Sequence, residues 1–279
     1  MDPRTLYDKV ALSTSTLTTH AYSTSFTIGI RCLARDLRAP IYSIYGFVRF
    51  ADEIVDTLHD YDQRGLLARF RRDTYTAIEE KVSINPVLHS FQRVVNEYSI
   101  SRDLIESFFQ SMETDLSQRQ HSRESLDRYV MGSAESVGLM CLNIFCANDK
   151  AKQEHLKPFA MRLGSAFQKV NFLRDLNADL TGLGRKYFPE LSACPLSPEA
   201  KWKIEKEIQE EFNEALPGIR QLPRSSRFGV YVAYLYFQAL LKRIMHTAPE
   251  VLKGRVKVPQ RQKISLLLYS FIKHQFNLI

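Results

Sequence analysis

Residues 166–189 read AFQKVNFLRDLNADLTGLGRKYFP, and Gln168, Asn171, Asp175 and Asp179 recur there at intervals of three, four and four. An α-helix is the element that brings residues at those intervals onto one face. Ala166, Phe167, Val170, Phe172, Leu173 and Leu176 flank this polar stripe and read as buried. Two carboxylates at i and i+4 repel by roughly 0.2–0.5 kcal/mol on a helix. A cation between them turns that cost into a binding site.

A second stripe of the same kind lies in residues 41–57, IYSIYGFVRFADEIVDT. Tyr45, Arg49, Asp52 and Asp56 follow at intervals of four, three and four. An isolated D-x-x-x-D is most often a solvated helix face. Two such pairs, each inside an apolar helix with an arginine close by (Arg49, Arg174), call for another explanation. If the helices face each other across a cavity, four carboxylates converge. Carboxylates with guanidinium groups suit a diphosphate bridged by Mg²⁺, which takes one or two carboxylates plus phosphate oxygens and waters, while arginine grips phosphate through two parallel hydrogen bonds.

The remaining chain is consistent with a helical protein of ordinary composition. Its 279 residues are 44% hydrophobic and 25% charged, typical of a soluble globular chain. A net charge of +7 favours anionic partners such as diphosphates or phospholipid. Nucleic acid is not expected, since there is no zinc-finger spacing and no aromatic-basic single-strand motif. Cys32, Cys141, Cys146 and Cys194 form no C-x-x-C and follow no secretory signal, so reduced thiols are expected. The longest apolar runs, 137–147 and 228–241, are shorter than the roughly 20 residues of a membrane span and read as core helices or tunnel walls.

Local signals divide the chain into roughly ten helices. The first occupies residues 1–20. Ser23 and Ser25 beside Phe26 read as a self-capping helix start. Pro40 is expected to open the helix that carries the first acidic pair, since a first-turn proline loses no hydrogen bond. Residues 65–82 are amphipathic, Asn85-Pro86 and Ser101 mark further starts, and 115–123 read as a solvated helix end. Residues 129–145 form a helix with Gly132, Ala134 and Gly138. These small residues, like Gly164, serve either close helix approach or a long ligand lying against bare backbone. Gly182 and Gly184 end the acidic helix. The loop 185–189 beside it either closes over a diphosphate with its basic residues or is a plain helix-end loop. Ser197-Pro198-Glu199 starts a charged helix, 230–244 is an aromatic one, and 253–259 is a basic tail. No segment alternates with period two and no composition break divides the chain, so the expected fold is all-α, a single domain over 1–279.

With both stripes in view, the sequence resembles the squalene/phytoene synthase family over nearly its whole length, and looks most like its bacterial phytoene synthases. The resemblance rests on 22–26 (YSTSF), 45–56 (YGFVRFADEIVD), 168–179 (QKVNFLRDLNAD) and 185–189. It implies an isoprenoid-synthase helical fold around a central cavity. It implies that Asp52, Asp56, Asp175 and Asp179, joined by Asn171, bind Mg²⁺, with Mn²⁺ able to substitute. It further implies that Ser23, Ser25, Phe26, Tyr45, Arg49, Gln168, Asn171, Arg174, Tyr187 and Arg255 line the substrate sites, with Tyr45, Arg49 and Arg174 sharing the catalytic work of the aspartates. The family often has histidine where this sequence has Tyr22. No hydrophobic C-terminal anchor is present, which points to a cytoplasmic enzyme, with peripheral attachment to the inner face of the membrane as a further expectation.

The activity this implies is head-to-head condensation of two geranylgeranyl diphosphates to phytoene through a cyclopropylcarbinyl diphosphate, an early step of carotenoid biosynthesis that needs no NADPH. The alternative is a C15 enzyme joining two farnesyl diphosphates to dehydrosqualene, presqualene diphosphate or squalene. A non-catalytic assembly factor of the same fold is the rival from another class. Such a protein is expected to lose acidic-pair residues, and all four are intact.

Overall fold

A computed structural model describes residues 2–147, 149–191, 197–247 and 256–276. Within them run twelve α-helices: α1 (Pro3–Tyr22), α2 (Thr24–Arg31), α3 (Arg35–Asp56), α4 (Gln63–Glu80), α5 (Pro86–Glu97), α6 (Arg102–Ser117), α7 (Arg123–Val130), α8 (Ser136–Phe145), α9 (Lys150–Ala178), α10 (Pro198–Gln221), α11 (Arg224–Met245) and α12 (Gln260–Gln275). There are no β-strands among these residues, so the all-α expectation holds. Several boundaries follow from short polar signals. Asn85 accepts from the backbone N–H groups of Val87 (3.0 Å) and Leu88 (3.4 Å) ahead of Pro86, and Ser101 accepts from that of Asp103 (3.2 Å). Ser23 ends α1 and caps α2 through the Phe26 N–H at 3.1 Å.

One boundary differs from expectation. Pro40 lies inside α3, which begins at Arg35. A tertiary contact anchors this start, the Ala34 N–H donating to the Ser225 carbonyl at 2.8 Å; locally Arg38 Nε donates to the Leu33 carbonyl at 2.9 Å, and Leu37 is buried. Residues 115–123 do end α6 and expose most of their side chains, but Asp115 and His121 within them are buried.

Two apolar cores frame the molecule. The first gathers α3, α4, α5, α6 and α8 around Phe47, whose ring stacks on Phe91 at 3.8 Å with Phe108 and Phe109 at 5.4 and 5.6 Å. Each fully buried phenyl contributes about 1.5–3 kcal/mol. The second gathers α7, α9, α10 and α11, with Phe167 stacked on Phe237 at 4.1 Å. The two acidic stripes therefore sit on helices that belong to opposite cores.

Between α7 and α8 the helix widens into a π-turn at Met131–Glu135. The glycines here answer the question posed by their sequence. A Cβ at Gly132 would collide with the Ser107 carbonyl of α6, and one at Gly164 would lie 2.8 Å from the Ala134 carbonyl. Close backbone approach requires both, and Gly138 and Gly164 also border the cavity described next.

Candidate active site

Between the two cores lies a cavity of about 470 Å³. Every member of both stripes lines it: Tyr45, Arg49, Asp52 and Asp56 from α3, and Gln168, Asn171, Asp175 and Asp179 from α9 and its end. Ser23, Phe26, Arg174 and Tyr187 line it as well. Ser25 is half-buried on α2 and is not among the lining residues, because α2 turns Ser23 and Phe26 toward the cavity instead. Arg255, and the basic tail as far as it, lies outside the described residues. Away from the carboxylates the wall is apolar, with Ile41, Ile44, Val137, Phe145, Phe159 and Leu163.

The polar end is built from paired charges. The Arg174 guanidinium forks over its neighbour Asp175, with Nε 3.0 Å from Oδ1 and a second, shorter contact from Nη2 to Oδ2. Arg49 pairs with Glu53, lies 3.9 Å from Asp52, and stacks over the half-exposed Tyr22 ring at 4.2 Å. Burial, then the neighbouring Asp56, holds the Asp52 carboxyl well above the usual carboxylate range. Burial, then Asp175 and Asp56, pushes Asp179 up to about 7. Asp56 lies on α3 and Asp179 follows α9, so the two pairs are close enough to repel. Burial also pushes the Tyr45 hydroxyl up to about 12.

Beneath this end is a buried network that the sequence reading missed. Arg185 is 3% exposed. Its Nη1 donates to Asp56 at 2.5 Å, its Nη2 to the Val55 carbonyl at 3.0 Å, and its Nε lies 3.7 Å from Asp115. Its backbone N–H donates to the Asp179 carbonyl at 2.9 Å, so one residue ties both acidic pairs together. Asp115 accepts from the Tyr129 hydroxyl at 2.6 Å and the Tyr187 hydroxyl at 3.2 Å, and burial pushes its carboxyl up to about 6 despite Arg185. Asp115 and Tyr129 both reach the cavity wall. The loop is clamped from outside by Lys186, whose N–H donates to the Arg119 carbonyl at 2.8 Å. The expectation that the basic residues of 185–189 close over a diphosphate is thus corrected for Arg185, which is committed to internal carboxylates. The only sequence signal was an arginine two residues before Tyr187; its partners lie far away in the chain.

No three carboxylate, imidazole or thiol side chains among the described residues are grouped tightly enough to hold an ion by themselves. The donor set nonetheless fits Mg²⁺, which completes its shell with phosphate oxygens and waters. Carboxyls crowded enough to retain protons are those a cation relieves. Asn171 Oδ1, buried at the cavity wall without a hydrogen-bond partner, is a further oxygen donor.

An all-helical chain whose cavity is acidic at one end and apolar elsewhere is a class that comparisons with known proteins narrow. The family model described as squalene/phytoene synthase matches residues 19–194. The chain belongs to the squalene/phytoene synthase family. It is 30% identical over 171 residues to a presqualene diphosphate synthase of Rhodopseudomonas palustris, covering 61% of this chain and 59% of that protein. It is 25% identical over 268 residues to a phytoene synthase of Cereibacter sphaeroides, covering 87% and 74%. The matches to the presqualene diphosphate synthases span about three-fifths of those proteins' length. Among solved structures, a dehydrosqualene synthase in complex with ligand superposes with a TM-score of 0.81 at 20% identity, covering 99% of this chain and 100% of that one. The fold is the all-α isoprenoid-synthase fold.

Proposed function

We propose that this chain joins two prenyl diphosphates head to head, releasing diphosphate and forming a cyclopropylcarbinyl diphosphate that ionises again on the way to phytoene. The observation that carries this reading is the meeting of both D-x-x-x-D pairs, with Arg49 and Arg174, at one end of an otherwise apolar cavity. Bound Mg²⁺ would supply neutralisation of the charge that builds on the departing diphosphate. Asp52, Asp56, Asp175, Asp179 and Asn171 are the residues to hold it. Arg49 and Arg174 move from their carboxylate partners onto phosphate oxygens. The apolar wall keeps water from the allylic cation. Phe26, 5.9 Å from the Tyr45 ring and 5.6 Å from Phe237, offers aromatic faces to that cation. Attack by the second substrate's double bond forms the new carbon–carbon bond, and a proton leaves as the cyclopropane closes.

The C15 reading is favoured by one observation, the relatives named presqualene diphosphate synthase at 30–32% identity. Incubation with geranylgeranyl or farnesyl diphosphate separately, with Mg²⁺, with and without NADPH, decides by product mass. A C40 hydrocarbon formed without NADPH is the expected product. A C30 product from farnesyl diphosphate alone supports the alternative, and no condensation of either substrate contradicts both.

A further inference from the structure

Helix α12 exposes more apolar surface than a helix in water ordinarily does. Its inward side carries Lys263 and Ser270, both buried, with Leu266 and Leu267 half-buried beside them. Its outward side carries Ile264, Leu268, Ile272 and Phe276, each more than half exposed, together with Tyr269 and Phe271, both 48% exposed. At the 3.6-residue period these six fall within an arc of about 160°, which the exposed Arg261, Ser265 and Gln275 share. The inward polar groups are anchored: Lys263 Nζ donates to Thr24 Oγ1 at 2.9 Å, and the Tyr236 hydroxyl donates to the Lys263 carbonyl at 2.8 Å. The apolar face is therefore held outward.

What surrounds that face is basic. Residues 251–279 contain no Asp or Glu. Lys257 and Arg261 are exposed, Lys273 lies over the Tyr269 ring at 5.0 Å, and Arg224 and Arg227 of α11 act on His274. An apolar helix face with a cationic rim is complementary to an anionic bilayer, where the rings and aliphatic chains enter the acyl boundary and the cations meet phosphate. Through Thr24, the sequence neighbour of the cavity-lining Ser23, the helix is tied to the start of α2, although none of its own residues lines the cavity.

We propose that the outward face of α12 docks on an anionic lipid surface. This does not depend on which diphosphates react, and the test reads no turnover. The purified full chain is floated with phosphatidylcholine vesicles made with and without phosphatidylglycerol, at low and high salt. The chain is expected to float with the anionic vesicles and to be released by salt. Leu268→Ser with Ile272→Ser reduces partitioning about tenfold or more, and Lys257→Glu with Arg261→Glu removes the salt-sensitive part. Ile84→Ser, at the 98%-exposed Ile84 between α4 and α5, leaves partitioning unchanged. Urea unfolding midpoints check that each variant is folded. Equal flotation of wild type and the Leu268/Ile272 variant, or no flotation of wild type with anionic vesicles, overturns the proposal. So does a wild-type dimer that this variant converts to monomer, which would make the face a self-interface.

Discussion

The two acidic pairs have the same sequence pattern and different surroundings. In each, one carboxylate is held by an arginine while burial and repulsion load the other. On α3, Asp56 is gripped by Arg185, itself buried against Tyr187 and against Asp115, which Tyr129 holds in turn. On α9, Asp175 is gripped by Arg174, its sequence neighbour, with both side chains 20–25% exposed at the cavity. The α3 pair thus rests on a fixed internal scaffold, and the α9 pair on a guanidinium able to turn toward an incoming anion. A motif specifies which groups meet; the residues behind it specify which of them are free to exchange partners.

Substitutions at five residues separate these roles, beginning with the largest effect. Arg185→Met leaves the buried Asp115 without its cation, and loss of one partner of a buried pair costs about 3–5 kcal/mol. Urea unfolding measures it, and a loss like that of an exposed pair would mean the scaffold is not one. Next, Asp175→Asn is expected to lower turnover by about 10²–10³-fold, with the Asp52→Asn/Asp175→Asn double variant little worse than either single change because the pairs act as a unit. Independent, multiplying losses would break that unity.

A smaller effect is set by pH. The folded Asp179 carboxyl titrates near 7 against an ordinary value of 3.8. Between about pH 4 and 7 the folded state keeps a proton that the unfolded chain has lost. Its contribution is therefore fully present below about pH 4 and declines as pH rises to about 7. In chelator, Asp179→Asn should flatten that part of the stability profile; an unchanged slope would show that Asp179 ionises normally. Least of all, Arg174→Gln should change stability by less than about 1 kcal/mol, in contrast to Arg185→Met, while still impairing turnover.

This contrast also marks how far the sequence can be read. The stripes were legible because a period of three and four is local: Gln168 to Asp179 specify their shared face within eleven residues. The caps at Ser23, Asn85 and Ser101 were legible for the same reason. Asp115 and His121 were not, since they sit among polar residues that look solvated, and their partners Arg185 and Tyr187 come over sixty positions later. The start of α3 was misplaced because the Ser225 carbonyl, not the local pattern, anchors it. Ser25 shares a motif with Ser23 and Phe26, yet two residues along a helix is just over half a turn, so its side chain faces elsewhere.

Both pairs are proposed to serve one diphosphate through shared divalent ions. Mn²⁺ binding followed by electron paramagnetic resonance, with an unreactive prenyl thiodiphosphate present, tests this most directly. Asp52→Asn and Asp175→Asn are each expected to lower the number or affinity of ions bound with the analogue. Wild-type ion binding in either variant would contradict the proposal.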